Sequence, residues 1–222
     1  MSPRSDSTRR AWIRPGPARS RHRGLLAVGA TLAVALLAGC SSSGASGPPQ
    51  STVSIVGDSL SVLGDAQITD QLSQAGWKSS ISAFAGVTTL EQMPILAQAA
   101  HSASDAFVVE LGTNDGHQIL KGETTPTAER AQIAAALDLF GDRCVVWVNV
   151  DDDPVRPGGT GGGSMNQALV AEAARRPNLH IASLRDLVAA HPEYLVSDQV
   201  HLTDAGYNAL GQLIAASLGA CR

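Results

Sequence analysis

Three short polar clusters interrupt the apolar runs of this chain, and their residue types suit acyl transfer: "GDSL" at 57–60, "GTND" at 112–115 and "SDQVHLT" at 197–203. Ser59 is a weak nucleophile until a neutral imidazole accepts its proton. Asp198 and His201 stand three residues apart, so local geometry alone can set a carboxylate against an imidazole, fixing its tautomer and stabilising the imidazolium. A tetrahedral oxyanion needs fixed donors as well, each worth about 3 kcal/mol in comparable sites. Three donors are available: a backbone amide at the strand-to-helix turn of Ser59, a close backbone approach at Gly86 in "FAGVTT", and the side-chain amide of Asn114. Taken singly, each residue also has a structural use. Ser59 can cap a helix, Asn114 can make a turn, Asp198 can be a cap or loop carboxylate, and His201 can bridge backbone groups. Asp58 is read as shaping the turn of its neighbour through hydrogen bonds rather than moving protons.

The elements that must hold these residues are legible as alternating patterns. Apolar, β-branched runs predict strands at 53–56, about 79–84, 106–111, 144–150 and 178–182. "CVVWVNV" is apolar on nearly every residue, as in a strand covered on both faces. Helices are expected over 60–75, ending at Gly76; from a Thr88-x-x-Glu91 capping box; from Thr125 as cap, with Pro126 in the first turn, to Gly141; over 165–175; and from Thr203 onward. Such alternation predicts the α/β class, an open parallel sheet with helices on both sides, within a single domain at 52–222. Ligands of such sheets bind beyond the carboxyl ends of the strands. "GDSL", "GTND" and "NVDDDP" (149–154) fall at those ends, and the Asp198/His201 cluster immediately precedes the last helix.

With "GDSL", Gly86, "GTND" and Asp-x-x-His in this order, the chain from about Val53 to Leu218 resembles the SGNH/GDSL hydrolase family of esterases and acylhydrolases. The resemblance implies a flavodoxin-like three-layer α/β/α fold on a five-stranded parallel sheet. It implies Ser59 as nucleophile, His201 as base and Asp198 as its orienting acid. The Ser59 and Gly86 amides and the Asn114 side chain would form the oxyanion hole, with no metal or organic cofactor. One departure is Gln199, where many relatives carry glycine, which bears on the local turn rather than on the chemistry. The stretch from "VVWVNV" to Met165-Asn166-Gln167-Ala168-Leu169 also resembles SGNH domains appended to membrane O-acyltransferases. No second long apolar run exists, so the multi-span portion of such proteins is not expected here.

The expected activity is hydrolysis of short acyl esters through an acyl-enzyme on Ser59: O-acetyl groups on cell-envelope carbohydrate, or small lipid esters. Only eight aromatic residues occur in the whole chain, too few for an evident stacking platform for a long glycan. Two alternatives stay open: an O-acyltransferase using the same triad, and a non-catalytic envelope-binding lipoprotein with the same fold.

The first segment has a different character. Seven arginines precede an apolar run from Gly24 to Ala38, too short to span a bilayer comfortably. Leu37-Ala38-Gly39-Cys40 followed by "SSSGASGPPQ" resembles a bacterial lipoprotein signal, with residues 1–39 removed and Cys40 lipidated. Residues 40–51 then read as a Ser/Gly/Pro tether. The expected location is the outer face of the cytoplasmic membrane, held by acyl chains on Cys40. Of 16 Lys and Arg, seven lie in that leader, and of 20 Asp and Glu only Asp6 does, so the mature chain keeps nine against 19, a net charge of −10. Such a surface disfavours nucleic acid. Cys144 and Cys221 make an even pair in an exported chain, which suggests a disulfide, with two buried thiols as the alternative. His101, His117, His180 and His191 share no ligand spacing and read as surface or loop residues. Asp151-Asp152-Asp153 reads as a solvated turn rather than a cation site. "GTGGGS" lacks the lysine of a phosphate loop, so 156–163 reads as a mobile rim.

Overall fold

A computed structural model describes residues 50–153 and 163–222. The expectations for the leader 1–39, for Cys40 with most of its tether, and for the glycine-rich loop up to residue 162 lie outside the described residues. The rest folds as β1 (Ser51–Gly57), α1 (Ser59–Leu63), α2 (Asp65–Gln74), β2 (Trp77–Ala83), α3 (Thr89–Ala100), β3 (Ala106–Glu110), α4 (Thr113–Lys121), α5 (Pro126–Phe140), β4 (Val145–Val148), α6 (Gly163–Ala173), β5 (Leu179–Ala182), α7 (Leu184–Ala190) and α8 (Asp204–Ser217). Single 3-10 turns at Pro192–Tyr194 and Leu218–Cys221 complete it.

All strand pairings are parallel, in the order β2-β1-β3-β4-β5. This is the flavodoxin-like order, whose chain reversal lies between β1 and β3, where such sheets open a crevice. Period-two alternation divides each central strand between two cores. Val53, Ile55, Val108, Val146 and Val148 face Ile68 and Leu72 of α2, Val188 of α7, and Leu210 and Ile214 of α8. Val56, Phe107, Val109, Val145 and Trp147 face Leu96 of α3, Ile133 and Leu137 of α5, and Met165 and Leu169 of α6. Each fully buried Val or Leu contributes about 1.5–3 kcal/mol relative to an exposed one, so the central strands are the rigid frame behind the loops.

The helix boundaries follow the side-chain chemistry. Thr88 and Glu91 form the expected capping box, and Thr125 caps α5 through the Ala128 amide. Thr203 caps α8 through Gly206. The single helix expected over 60–75 is two, broken at Gly64. A Cβ on Gly64 would lie 2.5 Å from Cδ1 of Tyr207, so the break admits that ring of α8. The helix α4 was not anticipated, because "GTND" reads as a loop; its cap, Gly112, takes φ +126° and has Met165 of α6 packed against it. β4 is shorter than 144–150, since the backbone of Val150 pairs instead with the side-chain amide of Asn166, through 3.1 and 2.9 Å bonds. β1 starts at Ser51, one residue inside the expected tether.

Cys144 and Cys221 are joined as a disulfide, their Cα atoms 5.6 Å apart, in the usual range for such bridges. It lies at the amino edge of the sheet, where Cys144 precedes β4. Arg222 is held at the same edge: it donates to the Ala75 carbonyl at 2.8 Å and stacks over Trp77, the first residue of β2. Among the described residues no helix is long and apolar enough to cross a membrane.

Candidate active site

The carboxyl ends of β1 and β3 deliver Ser59 and Asn114 to the crevice between them. Ser59 opens α1, so its amide is one of the first-turn donors with no intrahelical acceptor. The turn is set by Asp58, whose Oδ1 accepts from the Leu60 amide at 3.0 Å, the shaping role expected of it. His201 comes from the loop before α8, 142 residues away. Its Nε2 accepts the Ser59 hydroxyl at 2.9 Å, and its Nδ1–H donates to Asp198 Oδ2 at 2.8 Å. The other Asp198 oxygen accepts the amides of Val200 and His201, both at 2.9 Å. The hydrogen bond from His201, then the backbone amide of the same residue, hold the Asp198 carboxyl down at about 2. The carboxylate is thus ionised throughout the neutral range.

Gln199, between these two residues, adopts φ +60°, the only non-glycine residue with positive φ among those described. Glycine takes this conformation without steric cost, which explains why the departure at this position is local. The Gln199 amide and side-chain Nε2 both donate to the Val196 carbonyl, at 2.9 and 3.2 Å, and hold the turn despite the missing glycine.

Gly86 has φ +77°, with no heavy atom within 4 Å of where a Cβ would stand, so its turn faces open space. Asn114 ties the two neighbouring loops together: its Nδ2 donates to the Val87 carbonyl at 2.9 Å and to Asp58 Oδ2 at 3.2 Å. Both amide hydrogens therefore have acceptors, and the longer of the two bonds, to Asp58, is the one that can yield to an oxyanion. Asp115 beside it accepts the Thr89 amide through both carboxylate oxygens, at 3.0 and 3.1 Å, anchoring the start of α3.

Several residues stand apart from this centre. Asp152 pairs with Arg185 at 3.0 Å, and the Asp153 amide donates to Asp151, so "DDD" builds a turn. His101 caps α3 through the Ala97 carbonyl, and His191 pairs with Glu193. His180 corrects its expectation: it is half-buried in β5, with a ring nitrogen within 4.8 Å of the Cys144 and Cys221 sulfurs, which are already bonded to each other. Reading the sequence missed Glu110 and Ser61, both buried just behind Ser59. The signal was present, an acid closing the otherwise apolar strand "AFVVE".

Comparison with known proteins bears on the family and the fold. The GDSL-like lipase/acylhydrolase family matches residues 36–209. The O-acetyltransferase OatA of Staphylococcus aureus is 34% identical over 113 residues, which is 50% of this chain but 16% of that protein, so the match spans about a sixth of these curated relatives. The C-terminal catalytic domain of Streptococcus pneumoniae peptidoglycan O-acetyltransferase A superposes with TM-score 0.61 at 18% identity, covering 77% of this chain and 94% of that domain. The acetyl xylan esterase AlAXEase gives TM-score 0.57 at 17% identity, covering 75% of this chain and 99% of that one. These two likenesses describe the fold; the family match covers most of the chain. The chain belongs to the GDSL-like lipase/acylhydrolase family, enzymes that act on carboxylic ester bonds.

Proposed function

We propose that Ser59, His201 and Asp198 are the catalytic triad of an esterase that removes short acyl groups through an acyl-enzyme. The observation that carries this reading is the unbroken run of hydrogen bonds from the Ser59 hydroxyl through His201 to Asp198, at 2.9 and 2.8 Å. His201 Nε2 takes the hydroxyl proton as Ser59 Oγ attacks the ester carbonyl, and Asp198 stabilises the imidazolium so formed. The developing oxyanion receives the Ser59 and Gly86 amides and the Asn114 hydrogen released from Asp58. Collapse expels the alcohol, protonated by His201, and leaves the acyl group on Ser59. The same imidazole then activates water, which restores the serine and frees the acid.

Carbohydrate O-acetyl groups in the cell envelope are the substrate class we favour. Support comes from the sequence likeness to an O-acetyltransferase and the open space beside Gly86. If a sugar hydroxyl reaches the acyl-enzyme before water, the same residues perform transfer, so both outcomes belong to one mechanism. Removal of residues 1–39, diacyl anchoring at Cys40 and a catalytic domain over 52–222 complete the proposal.

A fluorophosphonate probe tests the nucleophile. Labelling of the wild type that is lost in Ser59→Ala is expected, and an unlabelled wild type would reject the triad in favour of a binding lipoprotein. Rates on p-nitrophenyl acetate, butyrate and palmitate, with and without a soluble oligosaccharide acceptor, separate short-chain hydrolysis from transfer and from lipid-ester cleavage.

A further inference from the structure

Behind Ser59 lies a second pair of acids that the triad does not use. Glu110 closes β3 in the same row as Ala106 and Val108, which points its side chain toward α1. It is 2% exposed and Asp58 is 0% exposed. The Asp58 amide donates to the Glu110 carbonyl at 3.1 Å, which sets the two buried carboxyl groups on neighbouring strand ends where each feels the other's charge. Two ionised carboxylates buried this close repel, which favours the state in which one carries a proton.

The surrounding donors identify which one. Glu110 receives the Ser61 amide at 3.1 Å and the Ser61 hydroxyl at 2.9 Å, both on Oε2, which leaves Oε1 for the proton. Asp58 is met on both oxygens by donors, the Leu60 amide on Oδ1 and Asn114 Nδ2 on Oδ2. That is the environment of an ionised group. Other titratable groups whose charge acts on the pair are Asp115 on α4, His201 before α8 and Tyr207 on α8. Among the described residues no lysine or arginine bonds to either carboxyl group, so a second buried negative charge here would lack a direct counter-ion.

We propose that Glu110 is a neutral, positioning acid held beside ionised Asp58, and that this pair aims Asn114 from the buried side of the site. Loss of the Glu110 proton sets two carboxylates against each other beneath the nucleophile. Their repulsion disturbs the Asp58–Asn114 bond, and the added charge opposes the oxyanion. Burial works in the same direction. Desolvation, then the charge on Asp58, raises the Glu110 carboxyl well above its ordinary range, and desolvation pushes Asp58 up to about 6. Above that value one negative charge resides on the pair, until pH passes the raised value of Glu110.

The proposal rests on the esterase reading for its kinetic test, so a second test is independent of turnover. In Glu110→Gln the new side-chain amide keeps an oxygen for the two Ser61 donors and offers an NH₂ to Asp58, reproducing the protonated acid. This variant is therefore expected to keep kcat within about threefold at pH 7 and to lack the descending alkaline limb expected of the wild type. Asp58→Asn is expected to lower kcat at least about tenfold with a smaller change in KM, because it disturbs a group engaged in the transition state. Infrared difference spectra of wild type minus Glu110→Gln, recorded near pH 7, should contain the carbonyl stretch of a protonated carboxylic acid. Carboxylate bands in its place would overturn the proposal whether or not the protein is an esterase. Equal alkaline limbs in both proteins, or a Glu110→Gln variant as impaired at pH 7 as Glu110→Ala, would overturn it by kinetics.

Discussion

At the scale of single residues, the proposed mechanism divides the site between groups that would touch the reacting atoms and groups that hold them. His201→Ala should lower kcat by several orders of magnitude with little loss of stability, since its side chain is a third exposed. Asp198→Asn should cost less than that total loss, because the tautomer is disturbed but the base remains. Rates on p-nitrophenyl acetate alongside thermal melts check both. That these three residues meet was legible in the sequence because a serine at the end of β1 and an Asp-x-x-His cluster just before the last helix occur in the same chain order as in the resembled family. Glu110 was not singled out, because a lone acid in an apolar strand reveals its partner only once register sets it opposite Gly57. Gln199 gives a complementary test: Gln199→Val, β-branched and forced to φ +60°, should destabilise by about 1–3 kcal/mol in a denaturant melt.

At the scale of elements, the strands and most helices were readable because capping boxes, a first-turn proline and terminal glycines are local signals. The break at Gly64 was not readable, because its cause is Tyr207 on α8, a contact that sequence spacing does not contain. α4 was missed for the opposite reason: its first turn is made of the polar residues that also mark a functional loop. The packing of α5 on α6 carries a titration of its own. Glu129 in the first turn of α5 is buried and accepts the Ser164 hydroxyl at 2.9 Å, and burial pushes its carboxyl up to about 7. The unfolded chain ionises this group near the ordinary value, so the folded state holds the extra proton between about 4.3 and 7. Stability falls across that window as pH rises and stays lowered above it. Glu129→Gln should therefore match the wild type at pH 4 and gain about 1–3 kcal/mol at pH 8, read from urea midpoints at the two pH values.

At the scale of the whole molecule, the disulfide ties the last turn of the chain to the entrance of β4, closing a loop with a sequence separation of 77. Constraining a loop of that length removes unfolded-state entropy worth about 2–4 kcal/mol, so reduction or Cys221→Ser should lower the melting temperature by on the order of 5–15 °C. Turnover at 25 °C should be little changed, because the bridge is remote from Ser59. That remoteness has a further consequence. β1 enters at its amino edge and reaches the turn of Ser59 about 23 Å later, seven residues of strand at about 3.3 Å each. Arg222 is fastened at the same edge. The upstream chain therefore joins the domain at one end of the sheet while Ser59 stands at the other, so changes made at Ser51 or at the bridge are felt across the whole depth of the strands before they reach the crevice.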